Sequence, residues 1–203
     1  PYQEKTGWLG RGMMAANHIG EGLALALPMP LLLRGVPLND NYFPAKGTLP
    51  SKNVLESLSS TYKEDGEINL QMVMDIIRKR PLSMMASGRS GRNLRSLAKE
   101  TAKLLRLNDG PSVAVFDLDG FDTHAAQGSD DGLHADHLKE INDIVEELRK
   151  NLGEGFNNTL ILTLTEFGRT IKQNGGNGTE HGWGGAILMA GGLIKTSQVF
   201  TDW

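Results

Sequence analysis

Apolar and polar positions alternate along the chain with two rhythms, and each rhythm predicts an element. From Thr6 to Ile19, the residues Trp8, Leu9, Met13, Met14 and His18 fall at helical spacing, with Thr6 as the expected N-cap, Gly20 as the stop and His18 as a packed or capping residue. The apolar run from Leu23 to Leu33, broken by Pro28 and Pro30, is expected to form one or two buried strand pieces. Residues 35–52 carry Pro, Gly and Asn and predict a long loop, which Tyr42 and Phe43 either pack down or use to rim a pocket; packing is the commoner role of an aromatic. Helical spacing returns between Asn69 and Leu107, first around Leu70, Met72, Val73, Ile76 and Ile77, then around Leu94, Leu97, Leu104 and Leu105, with Asn108-Asp109-Gly110 as the stop. Arg89 and Arg92 beside Gly88 and Gly91 lack the spacing of a phosphate-binding loop and read as a solvated helix start.

The second half has a plainer order. Residues 111–116 predict a short apolar strand, and residues 132–152 an amphipathic helix with Leu138, Ile141, Val145, Leu148 and Leu152 on one face. Residues 159–164 predict a second buried strand. Residues 186–190 predict a third, bounded by Gly184-Gly185 and Gly191-Gly192. Strand, helix and strand with continuous apolar strands imply parallel pairing through a right-handed crossover. The expected fold class is therefore α/β, with a mixed, mostly parallel central sheet flanked by helices on both faces, in a single domain over residues 1–203.

Composition narrows what such a domain can do. A chain of 203 residues can bury a sizeable core without staples, and with no cysteine it has no disulfide, no thiolate zinc ligand and no thiol nucleophile. Lys and Arg number 21 against 24 Asp and Glu, with no basic run, so the electrostatic footprint of a nucleic-acid binder is missing. The most apolar stretch, residues 22–33, is too short to span a bilayer and is interrupted by two prolines, so no membrane insertion is expected. Glu21 before it, and the lack of a basic opening, argue against a signal peptide; Pro1 marks a processed product or a fragment.

The polar clusters lie in loops beside the predicted strands, where α/β folds place their sites. Asp117-Leu-Asp119-Gly120-Phe121-Asp122-Thr123-His124 follows the first, Thr165-Glu166-Phe167-Gly168-Arg169-Thr170 follows the second, and Gly178-Thr179-Glu180-His181-Gly182-Trp183 precedes the third. Carboxylate oxygens and imidazole nitrogens from separate loops are what a zinc, manganese or similar ion takes in the absence of cysteine. Asp122, His124, Glu166 and His181 form the candidate ligand set. Each also has an ordinary reading: Asp122 as a loop former, Glu166 as a partner of Arg169, and His181 as a polar residue in a glycine-rich turn. His134 and His137 at the start of the long helix are expected to be exposed, and Phe121 and Trp183 either wall the site or are simply buried.

Phe121-Asp-Thr-His124 with Gln127, Thr159-Leu-Ile-Leu-Thr-Leu-Thr-Glu-Phe-Gly-Arg-Thr170 and Gly178-Thr-Glu-His-Gly182, in that order, resemble the motifs of the bacterial family called domain of unknown function 1501; Gly7-Trp-Leu-Gly-Arg11 is similar to that family's middle region. The resemblance implies a place in the alkaline phosphatase and sulfatase superfamily, hence an alkaline phosphatase-like core with a divalent-metal site at the carboxyl edge of its sheet. It implies Asp122, His124 and His181 as ligands of one ion and Glu166 on it or a neighbour, with zinc the first choice and manganese or calcium as alternatives. Phe167 stands where the superfamily has a second ligand, and Glu180 where the family has Asp, which keeps the charge on a longer arm. The superfamily's nucleophile lies upstream of the Gly-Trp-Leu region, so the chain is expected to be an incomplete, amino-terminally truncated domain.

On this basis the expected function is metal-dependent hydrolysis of a small phosphate or sulfate ester, with Arg169 as the catalytic cation that steadies the anion. The other expectation for Arg169 is a structural pair with Glu166 or Asp122. The alternative function is a catalytically inactive extracytoplasmic binding or scaffold protein that retains the fold. Members of the family often carry a twin-arginine export signal, which implies an extracytoplasmic, periplasmic location.

Overall fold

The structure, a computed structural model, describes residues 5–42, Ser57 and residues 93–201. The chain divides into two compact units, Pro1–Arg92 and Asn93–Trp203. Among the described residues it is a mixed α/β protein with three α-helices and a small parallel sheet.

In the first unit, helix α1 spans Trp8–Ala15 and buries Met13. Its N-cap is Gly7 rather than Thr6; Thr6 instead accepts from the Arg11 guanidinium, through its carbonyl at 2.8 Å and its hydroxyl at 3.2 Å. Gly10 shows what fixes this helix: a Cβ there would lie 2.2 Å from the Arg34 carbonyl oxygen, so only glycine allows the approach. Strand β1, Gly22–Leu25, is buried throughout and pairs in parallel with β2, Asp40–Tyr42, in the register Leu23 to Asp40 and Leu25 to Tyr42. Asn39 ties the two ends together, accepting from the Gly22 N–H at 3.0 Å and donating to the Leu33 carbonyl at 3.1 Å.

Three further expectations for this unit change. The second apolar piece is a 3-10 turn, Leu31–Leu33, because Pro28 and Pro30 remove the N–H groups a strand ladder would use. The loop expected from Gly35 contains β2, and Tyr42 packs there as a buried residue. His18 is neither packed nor capping; it is exposed and pairs with Glu21 at 2.9 Å. Phe43 and the remainder of the loop to Lys52, the helical pattern around residues 70–77 and the segment 87–92 lie outside the described residues.

The second unit is built on two helices, α2 at Leu94–Leu105 and α3 at Leu133–Leu152. Asn93 caps α2 by accepting the Ser96 N–H at 3.1 Å. Ala98 and Ala102 of α2 meet Ile144, Leu148 and Leu152 of α3, with Leu94, Leu105, Phe116, Phe156 and Ile161 around them. The alanines leave room for the larger α3 side chains, and the contact is edged by the Arg95–Asp143 ion pair at 2.7 Å. Leu138, expected on this buried face, is exposed.

Around the helices lie β3 (Val113–Val115), a 3-10 turn (Gly153–Asn158), β4 (Ile161–Leu162), β5 (Gly168–Arg169), β6 (His181–Gly182) and β7 (Met189–Ala190). β4 pairs antiparallel with β7, and β5 antiparallel with β6. The parallel, buried pairing expected for residues 159–164 is thus corrected. The chain between β4 and β7 contains the reversal made by β5 and β6 and no crossover helix, and a parallel neighbour needs such a crossover. The ladder is also short and open to solvent, with Leu162 40% and Met189 51% exposed.

Candidate metal centre

The β5–β6 pair is the frame of the site. Its register sets Arg169 directly opposite His181, and residues opposite each other in a ladder share a face. Between these strands the Asn174-Gly-Gly-Asn-Gly178 turn folds against the loop that follows β3. The Thr179 N–H donates to the Thr123 carbonyl at 3.1 Å, Ala126 N–H to Gly176 at 2.9 Å and Gln127 N–H to Asn177 at 2.9 Å. Gly178 is required here, since a Cβ would lie 2.3 Å from the His124 carbonyl carbon. The backbone thereby brings Asp122 and His124 to the face that carries Arg169 and His181.

Three of the four expected ligands meet. Asp122 Oδ1 lies 3.0 Å from His124 Nε2 and 3.1 Å from His181 Nε2, and the two imidazole nitrogens are 3.3 Å apart. Among the described residues these three form a group whose ligand atoms could hold a metal ion. Glu166 is exposed and stands outside that group.

Arg169 serves Asp122. Its guanidinium donates to Asp122 Oδ1 and to the Thr179 carbonyl through its two terminal nitrogens, and through Nε to Thr179 Oγ1 at 2.9 Å. The Thr179 hydroxyl donates in turn to Gln127 Oε1 at 2.9 Å, which also accepts from the buried Thr123 at 2.8 Å. This chain of donors and acceptors braces the site from behind. Of the two structural pairings expected for Arg169, the one with Asp122 forms.

Each imidazole is fixed by a further group. Phe167 stacks on His181 with ring centroids 3.9 Å apart and planes at 21°. Glu180 Oε2 lies 2.8 Å from His124 Nδ1, and its other oxygen accepts from Asn174. Partial desolvation pushes the Asp122 carboxyl up, but hydrogen bonds from Arg169 and His181, with the charges of His124 and His181, outweigh it and hold the group below its usual value. Glu180 is likewise held low, chiefly by Asn174 and then by His124.

The donor set fits a divalent ion. Bonds of about 2.0–2.1 Å at tetrahedral angles put neighbouring ligand atoms roughly 3.3 Å apart, close to the separations between Asp122, His124 and His181. The chemistry agrees with the distances. A carboxylate only accepts, so in the metal-binding form of His124 the proton sits on Nδ1 beside Glu180 and Nε2 presents a lone pair on the side of Asp122 Oδ1, itself an acceptor. Two acceptors at 3.0 Å need a cation or a proton between them. Asp122, His124 and His181 are each roughly half exposed, which leaves a face open to an external ligand.

The other histidines of this unit are differently placed. His134 and His137, expected to be exposed, are half-buried against Phe121, at centroid distances of 5.9 and 5.2 Å. His134 Nδ1 is enclosed without a hydrogen-bond partner among the described residues. Phe121 therefore belongs to the α3 packing, and Trp183 is fully exposed. The residue-type reading missed Glu180 and Asn174 as parts of the site. The available signal was turn chemistry: an Asn-Gly-Gly-Asn-Gly run forces a tight reversal just before Glu180 and His181.

No curated protein and no solved structure matches the chain. A family model described as protein of unknown function (DUF1501) matches residues 37–203, which include the whole candidate centre. The chain belongs to the DUF1501 family of proteins of unknown function.

Proposed function

We propose that this protein is a metal-dependent hydrolase of phosphate or sulfate esters in which Asp122, His124 and His181 hold a divalent ion, with zinc as the first choice. The observation that carries the reading is the convergence of one carboxylate oxygen and two imidazole nitrogens to mutual distances of 3.0–3.3 Å, from the loop after β3 and from β6. When bound, the ion supplies Lewis-acid polarisation of the ester oxygen and eases ionisation of a nucleophile. Asp122 offsets the ion's charge, and Arg169 keeps Asp122 aimed at the centre. A guanidinium has five N–H donors, and the three engaged with Asp122 and Thr179 leave two for an anionic oxygen.

The test is metal analysis of the intact purified protein, followed by a screen of phosphate and sulfate monoesters with and without chelator. The expected result is one divalent ion per chain and hydrolysis that chelation removes and zinc restores. A protein that binds no divalent ion, and whose His181→Ala variant keeps every activity found, overturns the reading.

A second reading, a binding or scaffold protein that keeps the metal site without turnover, is favoured by one feature. The cation nearest the cluster is committed to Asp122, and Glu166 joins neither. Bound zinc together with no hydrolysis of either ester class would decide for this reading.

A further inference from the structure

The geometry points to Glu180 as the positioning residue that fixes His124 for the ion, with Asn174 holding both in place; this rests on the metal reading above. His124 has two ring nitrogens with different surroundings. Nε2 faces Asp122 and His181, and Nδ1 lies 2.8 Å from Glu180 Oε2. A metal takes the nitrogen that carries a lone pair, and the proton must then sit on the other. Glu180 selects that arrangement, because its carboxylate can only accept and so stabilises the Nδ1–H form of His124.

Asn174 makes this more than a surface ion pair. Its amide nitrogen donates to Glu180 Oε1 and to the His124 carbonyl, the latter at 2.8 Å. Its amide oxygen accepts from Gly176 N–H at 2.9 Å and from Gly178 N–H at 3.0 Å. Both amide hydrogens and both lone pairs of the side chain are therefore used. One asparagine grips the backbone of His124 and the carboxylate that orients its ring, while shaping the turn that leads to His181.

The position along the strand explains how one short segment can do both tasks. Glu180 immediately precedes β6, which opens at His181. The two residues reach the two different nitrogens of the same His124 ring, Glu180 at Nδ1 and His181 at Nε2. Aspartate at position 180 would be shorter by one C–C bond, about 1.5 Å, and would not reach Nδ1 without a shift of the turn.

The experiment is zinc affinity by competition with a chromophoric chelator, on the intact protein and its Glu180→Gln, Glu180→Asp and Asn174→Ala variants. Loss of an outer partner of a metal-bound histidine costs roughly 10- to 100-fold in affinity, and that is the expectation for Glu180→Gln. Glu180→Asp should fall between it and the parent. Asn174→Ala should weaken binding in the same direction. Nitrogen-15 imidazole spectra of the zinc-loaded proteins give the readout that a merely structural role would not move. With Nε2 on the ion, the His124 Nδ1–H signal should be shifted downfield by the Glu180 carboxylate in the parent and should move upfield in Glu180→Gln, with far-UV circular dichroism unchanged. A parent that binds zinc while Glu180→Gln binds within about twofold of it, with the same His124 Nδ1–H signal, overturns the inference and leaves the metal reading standing. A parent that binds no zinc overturns both.

Discussion

Two pairs of histidines in the same unit show how company decides what an imidazole can do. His124, in the loop after β3, and His181, on β6, are separated by more than fifty residues, and each meets a carboxylate: Asp122 for both, Glu180 in addition for His124. His134 and His137 come from one turn of α3, three residues apart, and meet the ring of Phe121. Helical spacing suits a ligand pair as well as loop placement does. Among the described residues the α3 pair belongs to no group that could hold a metal ion, and Glu140 stands 3.6 Å from His137 Nδ1, beyond hydrogen-bonding range. Spacing alone therefore ranks the pairs wrongly, and the acids around each pair rank them correctly.

The sharpest way to break the comparison is to delete one histidine from each pair. His181→Ala removes a ligand nitrogen and should weaken zinc binding by more than the roughly 100-fold upper bound for loss of an outer partner. His137→Ala should leave zinc affinity within about twofold, because its ring makes no contact with the cluster. Isothermal titration of both variants decides the matter. Equal losses would mean that the two pairs belong to one site.

A smaller effect should follow from Arg169→Lys. Arginine spans Asp122 and Thr179 with a planar fork, whereas lysine is a single point of charge and cannot hold both. Asp122 should stay ionised but lose its fixed direction, and zinc affinity should fall on the order of 10-fold, the lower end of the range for an outer partner. Chelator competition measures this, and an unchanged affinity would show that the turn alone orients Asp122.

The fold and the site were legible in the sequence to different depths. Helix α3 was readable almost to the residue because twenty residues of 3.6-fold periodicity leave no competing reading. Its exposed Leu138 was not, because burial depends on the partner. The 12-residue α2 spans about 18 Å and cannot cover the roughly 30 Å of α3. The short apolar runs at 159–164 and 186–190 carry no information about strand direction, so their antiparallel pairing had to come from the β5–β6 reversal between them. In the site, Asp122, His124 and His181 were legible from residue type and motif. The place of Glu166 outside the cluster was not, since a motif gives order along the chain but not the direction a side chain takes.

The smallest effect is expected at His134, and it tests the other half of the comparison. Its Nδ1 is enclosed and has no partner among the described residues, so this imidazole contributes ring contact with Phe121 while carrying a polar atom that they leave uncompensated. An unsatisfied buried group costs about 1–3 kcal/mol, and an aromatic contact of this kind returns about 0.5–1.5 kcal/mol. His134→Leu removes both terms and keeps an apolar side chain against Phe121. Chemical unfolding should show stability unchanged or raised by about 1 kcal/mol, with zinc affinity unaltered. A loss of more than about 1 kcal/mol would mean that the nitrogen is satisfied in solution, and a loss of zinc would mean that α3 helps to hold the ion.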